Sequence, residues 1–209
     1  MVAPRLPPAL VLAIALLLLV QRIRGASVHS PDPRSDEDLY RRYAEGDERA
    51  FRVLLDRHSG EVLGYLARFF GDREMATDLT QDVFLKVIAA ADDFRGDSSF
   101  RTFLFRIAHN HCVNHIVRRR PTASLQELEL DPEDGARPVE ARLTDAQQSA
   151  RLHDAVRRLP LIQRQVVMLA LEDLDYAEIA AVLGITETNV GVRLNRARAS
   201  LRKMMGEGQ

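Results

Sequence analysis

The chain has 209 residues, 46% hydrophobic, 28% charged and only 6% aromatic, with no Trp. That is room for one or two small domains, and it suits helices better than sheets. The formal net charge of −1 hides strong local segregation, so the total does not argue against a nucleic-acid partner. A single cysteine, Cys112, excludes an internal disulfide and fits a reducing cytoplasm.

The chain opens on an apolar run. Ala9–Val20 is 12 residues without a polar side chain, with Arg5 before it and Arg22 and Arg24 after it. A bilayer-spanning helix needs about 20 apolar residues, so the run is nearer a signal-peptide core in length. Three readings stand: a signal or membrane anchor, a short amphiphilic extension, or sequence upstream of the true start. The last is preferred, because the chain from about residue 28 or 36 onward reads as a complete cytoplasmic protein. Residues 1–35 are therefore treated as an N-terminal extension, which leaves membrane association open.

Helical periodicity then takes over. Ser35 is placed to cap a helix over Asp36–Glu45, closed by Gly46. Asp47 precedes a long helix over Glu48–Phe70, whose inward face is Phe51, Leu54, Leu55, His58, Val62, Leu66, Phe69 and Phe70. Asp72 starts a third helix running to about Ala91, with Ala76, Leu79, Val83, Phe84, Val87 and Ile88 inward. Phe94–Ser98 reads as a loop. Ser98 or Ser99 caps a fourth helix that Pro121 stops.

Residues 121–143 are acidic, contain three Pro and one Gly, and have no core of their own. Thr144 opens a second helical region, and Pro160 suits the first turn of a helix through Leu171. Asp175 and Glu178 have capping-box spacing. Gly184 fits the left-handed position that ends a helix. Ile185 is placed to plug the turn, and Thr186 to cap the next helix, in which Val190, Leu194, Ala197 and Leu201 form one stripe. Arg193–Lys203 holds five basic residues and no acid. This is the pattern of a helix-turn-helix whose second helix lies against DNA. The expected fold is all-α: one four-helix domain over 36–120 and one helix-turn-helix domain over 144–205, joined by a flexible acidic linker over 121–143.

The fourth helix is the other chemical signal. No acid occurs from Ser98 to Gln126, while Arg101, Arg106, Arg118, Arg119 and Arg120 alternate with Phe100, Phe103, Phe105, Asn110 and Asn114. Arginines suit phosphates, asparagines suit base edges, and exposed aromatics stack on unpaired bases. Most of the apolar residues here read as core; Phe103 is the one expected to stay partly exposed.

LTQDVFLKVIAAADDFRGDSSFRTFLFRIAHN, with the basic helix end that follows, resembles region two of bacterial RNA polymerase sigma factors. LPLIQRQVVMLALEDLDYAEIAAVLGITETNVGVRLNRARASLRK resembles their region four. With a short linker and no region one or three, the chain is similar to the extracytoplasmic-function (ECF) group. The resemblance covers about Asp36–Lys203 apart from the linker. It implies a non-enzymatic promoter-specificity subunit without cofactor or metal. The implied partners are core RNA polymerase, through its clamp helices and flap, and promoter DNA; an anti-sigma factor is an expectation of the family alone. By the same resemblance Asp78, Gln81 and Asp82 dock on polymerase. Arg95, Asp97, Ser98, Arg101, Phe103, Arg106, Asn110, Asn114, Arg118 and Arg119 open and hold the −10 element. Thr186, Thr188, Asn189, Val192, Arg193 and Arg196 read the −35 duplex.

Two departures stand out. Family members often carry Trp where this chain has Phe103. The recognition helix often carries Lys, then Ser or Arg, before the matched arginine; here those places are Gly191 and Val192. Val192 is suited to touch a thymine methyl.

Two other readings remain. A stand-alone helix-turn-helix regulator would bind duplex DNA without polymerase, and the resemblance at Asp78–Asp82 argues against it. A metal-dependent hydrolase built on His109, His111 and His115 would need further ligands: His111 and His115 have zinc-compatible i, i+4 spacing, but no carboxylate or second Cys lies near them in sequence. A polar helix face beside a buried Cys112 is the preferred reading there.

Overall fold

The computed structural model describes residues 32–94, 96–119 and 145–205, with the side chains of Asp93, Arg119 and residues 145–150 outside that description. The apolar run at Ala9–Val20, the linker, Arg95 and the Arg119 side chain therefore lie outside the described residues. Eight α-helices and no strand occur among the described residues: α1 (Asp36–Ala44), α2 (Glu48–Phe70), α3 (Arg73–Ala89), α4 (Phe100–Arg119), α5 (Asp145–Arg158), α6 (Leu161–Ala170), α7 (Tyr176–Leu183) and α8 (Glu187–Met205). No described helix is long and apolar enough to cross a membrane.

Local chemistry sets the helix ends. Ser35 Oγ accepts from the Asp38 amide, and Asp72 Oδ1 from the Met75 amide, each supplying an acceptor for an amide with no partner inside its helix. Ser99 does the same for Thr102, so of the two candidate serines it is the cap of α4. A 3-10 turn at Ala91–Asp93 follows α3. Pro160 stands one residue before α6 rather than inside its first turn.

The chain divides into two compact units, and the division runs through α2 and α4 rather than at the linker. In the first unit, described over 32–67 and 72–111, the centre is aromatic. Tyr40, Tyr65, Phe84, Phe100 and Phe105 are all under 2% exposed. Aromatic rings fill an inter-helix space with few rotatable bonds to freeze, and tilted or edge-on pairs such as Tyr40–Phe100 and Tyr65–Phe105 add to the area they bury. The Tyr40 hydroxyl donates to the Val87 carbonyl at 2.5 Å, satisfying the one polar atom this ring takes into the core.

In the second unit, residues 145–205 pack through aliphatic side chains. Val166, Met168 and Leu169 of α6, Ile179 and Val182 of α7, and Val190, Leu194 and Ala197 of α8 are buried; Leu201 and Ile185 are half-buried. The turn is as the sequence reads. Asp175 Oδ1 accepts from the Glu178 amide and Glu178 Oε2 from the Asp175 amide, a complete capping box. Gly184 closes α7 at φ 65°, a conformation costly for residues with a Cβ. Thr186 Oγ1 accepts from the Asn189 amide and opens α8.

Candidate nucleic-acid and polymerase interfaces

Helix α4 is two-faced. Phe100, Phe103, Leu104, Phe105, Ala108 and Cys112 turn inward. Arg106, Asn110, Asn114 and Arg118 are exposed and stand four residues apart, so they form one outward line of cations and amides along the helix. Asp97 is exposed and Ser98 half-buried in the loop that leads into it.

Two expected contact residues are held differently from expectation. Phe103 is only 6% exposed, packed against Tyr40 and Phe94, with the Arg106 guanidinium 5.7 Å from its ring centroid. This corrects the expectation of a partly bare aromatic: α1 and the turn after α3 both bring rings to the position, which a reading of α4 alone does not reveal. Arg101 is half-buried. Its guanidinium is paired with Glu61, the Nε bond being 2.8 Å, and lies 5.3 Å from the Phe105 centroid.

Sequence reasoning missed what anchors this helix. Glu37 of α1 accepts from the Phe100 amide at 2.7 Å, so a carboxylate from another helix caps α4 and sits at the positive end of its dipole. Below it, His58 is 7% exposed with Asp36 at 2.7 Å from Nε2 and Glu61 at 3.1 Å from Nδ1. Burial disfavours the charged imidazolium, but the two carboxylates outweigh it and raise the pKa of His58. Burial likewise opposes ionisation of Asp36 and Glu61, and their cationic partners outweigh it. His58 and Arg57 lower the pKa of Asp36; His58 and Arg101 lower that of Glu61. The His58–Glu61 spacing of three was the only trace of this in the sequence. Asp36, Glu37 and Arg101 are joined to it by the fold.

On α3, Asp78 and Asp82 are exposed and Gln81 is half-buried, so the three reach one side of the helix. Asp82 is also 3.3 Å from His111 Nε2 of α4. The neighbouring histidine points elsewhere: His109 is 5% exposed with Nδ1 3.4 Å from the Tyr65 hydroxyl, and burial lowers its pKa to about 4. Cys112 is fully buried, and burial pushes its thiol pKa up. Among the described residues no three His, Cys, Asp or Glu side chains are gathered as a metal would need.

On α8, Thr188, Asn189, Val192 and Arg196 are exposed, and so is the Thr186 cap. Arg193 is half-buried and donates from Nε to Asn189 Oδ1 at 2.8 Å, which fixes the two side chains relative to each other. All but Thr186 are carried on α8, whose other side is the buried Val190–Leu194–Ala197 stripe.

The sequence matches the family described as Sigma-70 region 2 over residues 54–122 and that described as Sigma-70, region 4 over residues 149–201. It is 35% identical to an RNA polymerase sigma-H factor of Pseudomonas aeruginosa, across 81% of this chain and 93% of that one. It is 32% identical to an ECF RNA polymerase sigma-E factor of Escherichia coli, across 80% and 92%. Among solved structures it resembles CnrH in complex with the cytosolic domain of CnrY, with a TM-score of 0.63, 30% identity, and coverage of 84% of this chain and all of that one.

Proposed function

Since the chain belongs to the sigma-70 family of RNA polymerase sigma factors, in the ECF group, and so acts in transcription initiation rather than as an enzyme, we propose that it opens the −10 element with α4 and grips the −35 duplex with α8. The observation that carries the reading is the outward line Arg106–Asn110–Asn114–Arg118 on a helix whose first turns bury Phe100, Phe103 and Phe105. The guanidiniums at the two ends of the line suit separate phosphates of one strand, and the amides between them offer both donor and acceptor to unpaired base edges. Extruding a base costs a few kcal/mol, and Asp97 and Ser98, in the segment before α4, are where hydrogen bonds would recover it. Phe103 contributes indirectly, by supporting the Arg106 guanidinium. Arg101 contributes by fixing α4 to Glu61.

Asp78, Gln81 and Asp82 form the polymerase-docking face. Thr188, Asn189, Val192, Arg193 and Arg196 enter the major groove, with Thr186 at the start of the helix near the phosphates. The factor works in the cytoplasm, where core polymerase and promoter DNA are its partners. CnrH is solved with the cytosolic domain of CnrY, and an anti-sigma factor would be the corresponding partner of this chain. A stand-alone duplex-binding regulator would need none of the α3 or α4 faces.

Permanganate reactivity of −10 thymines in the holoenzyme tests the division of labour. Replacing Arg106, Asn110 and Asn114 with Ala should remove the reactivity while the factor still co-elutes with core polymerase. Replacing Asp78 and Asp82 with Ala should weaken co-elution itself. Full permanganate reactivity in the first variant would contradict the assignment of α4.

A further inference from the structure

Helix α4 is tied to its neighbours by a chain of alternating charge. Arg57 donates to Asp36 Oδ1, and the other oxygen of Asp36 stands 2.7 Å from His58 Nε2. His58 Nδ1 is 3.1 Å from Glu61 Oε2, and the other oxygen of Glu61 accepts from Arg101 Nε at 2.8 Å. The order is Arg57, Asp36, His58, Glu61, Arg101, cation and anion in turn, with His58 at the middle. Each side of His58 leads to α4. Arg101 belongs to that helix, and Asp36 stands next to Glu37, whose carboxylate accepts from the Phe100 amide. Around His58, α1 presents Asp36 and Glu37, α2 Arg57 and Glu61, and α4 Arg101, with the centroid of the Phe100 ring 5.5 Å from that of His58. Arg57 also donates to the Asp32 and Arg34 carbonyls, whose side chains pair with each other. Protonated His58 therefore balances the cluster: Arg57, His58 and Arg101 against Asp36, Glu37 and Glu61.

A neutral imidazole has one N–H and one lone pair, whereas an imidazolium donates from both nitrogens. Both nitrogens of His58 face a carboxylate oxygen, so only the imidazolium can donate to both. At 7% exposure the ring has little water to turn to. Losing the proton sets a lone pair against an anion, and either Asp36 or Glu61 must move. Burial works against the imidazolium, but the two carboxylates outweigh it and raise the pKa, so the charged form persists above the usual histidine value of about 6.5.

We propose that protonated His58 is a positioning residue for the −10 surface, and that its deprotonation slackens one of the two tethers of α4, so that promoter opening by this factor falls at alkaline pH while polymerase docking and −35 binding persist. The proposal rests on the assignment of α4 to the −10 element. Asp78, Gln81 and Asp82 of the docking face and the reading residues of α8 are not members of the charge chain, so they are expected to keep their places when it loosens.

The test uses the full chain in holoenzyme, on a promoter mapped by its transcript 5′ ends. Permanganate reactivity of −10 thymines is followed from about pH 6 to about pH 9, the span that brackets histidine titration, with single-stranded DNA as the reference at each pH. Reactivity should fall about fivefold towards the alkaline end, the worth of one partly exposed ion pair. Glu61→Gln should remove the fall, since its carbonyl still accepts from Arg101 while its amide donates to the lone pair of neutral His58. His58→Gln has one donor and one acceptor at every pH, so it should hold the low level throughout. Co-elution with core polymerase verifies that both variants fold. Exchange of the Phe100 amide, measured on the protein alone, follows the tethers without DNA. Opening and Phe100 exchange that both ignore pH, beyond the intrinsic exchange rate, would overturn the proposal. So would a Glu61→Gln variant that falls as steeply as the parent. Phe100 exchange that responds to pH while opening does not would overturn it differently, by removing the assignment of α4 to the −10 element.

Discussion

Helices α4 and α8 both present arginines and amides outward, yet they are fixed by opposite means. Helix α4 is set by distant parts of the chain: Glu37 caps it, Glu61 holds Arg101, and Tyr40 and Tyr65 pack on its aromatic side. Helix α8 is aimed by chemistry closer to it in the chain: Gly184 ends the helix before it, Thr186 caps it, and its buried stripe of Val190, Leu194 and Ala197 packs on the three helices that precede it, α5 to α7. On the proposed assignment, α4 holds an opened strand and needs a stiff floor, since the cost of unpairing is recovered only if partners are already in place. On the same assignment α8 reads an intact duplex, a rigid ligand, and a short motif suffices to aim it.

The difference predicts unequal sensitivity to mutation. The largest effect should come from Phe100→Ala, which removes a fully buried ring shared by α1 and α4 and should cost about 3–5 kcal/mol. Chemical denaturation followed in the first unit checks it, and −10 opening should disappear with stability. Glu37→Ala comes next. It leaves the Phe100 amide without its acceptor and should cost about 1–2 kcal/mol, whereas Glu37→Gln keeps an acceptor and loses only the charge at the helix end, about 0.3–1 kcal/mol. Equal losses in the two variants would show that charge, not the hydrogen bond, holds α4. Asp175→Ala should cost about 1 kcal/mol by opening the capping box. Its consequence should be confined to −35 binding, read in the holoenzyme on duplexes with and without that element.

The mildest change is in pH. His58 has its pKa raised in the folded state, so its contribution is fully present below the usual histidine value of about 6.5 and is lost as pH rises through the folded value. Asp36 and Glu61 have theirs lowered, so their contribution is present above the usual carboxylate range and is lost as pH falls through the folded values. Hydrogen exchange at the Phe100 amide should therefore be most protected at mildly acidic to neutral pH and speed up on the alkaline side beyond the intrinsic rate. His58→Gln should flatten that alkaline limb. An unchanged limb would separate the His58 cluster from the positioning of α4.

Legibility in the sequence follows the same division. The helix-turn-helix was readable because its determinants lie within a few residues of one another: Asp175 with Glu178, Gly184, Thr186 with Asn189. The helices of the first unit were readable from periodicity and caps. Long-range pairings left no periodic trace, and so Glu37, the charge cluster at His58 and the burial of Phe103 emerged only from the fold. Arg101 illustrates the limit: an arginine in a basic, acid-free stretch reads as a phosphate ligand, whereas its partner Glu61 lies forty residues earlier in the chain.

The most direct test of the account is transcription of fragmented genomic DNA from the source organism by core polymerase with and without this protein, residues 28–209, followed by sequencing of transcript 5′ ends. The account predicts discrete new start sites that share a −10 and a −35 element. Polymerase binding absent and start sites unchanged, from a folded helical sample, would contradict it and favour a stand-alone duplex-binding regulator.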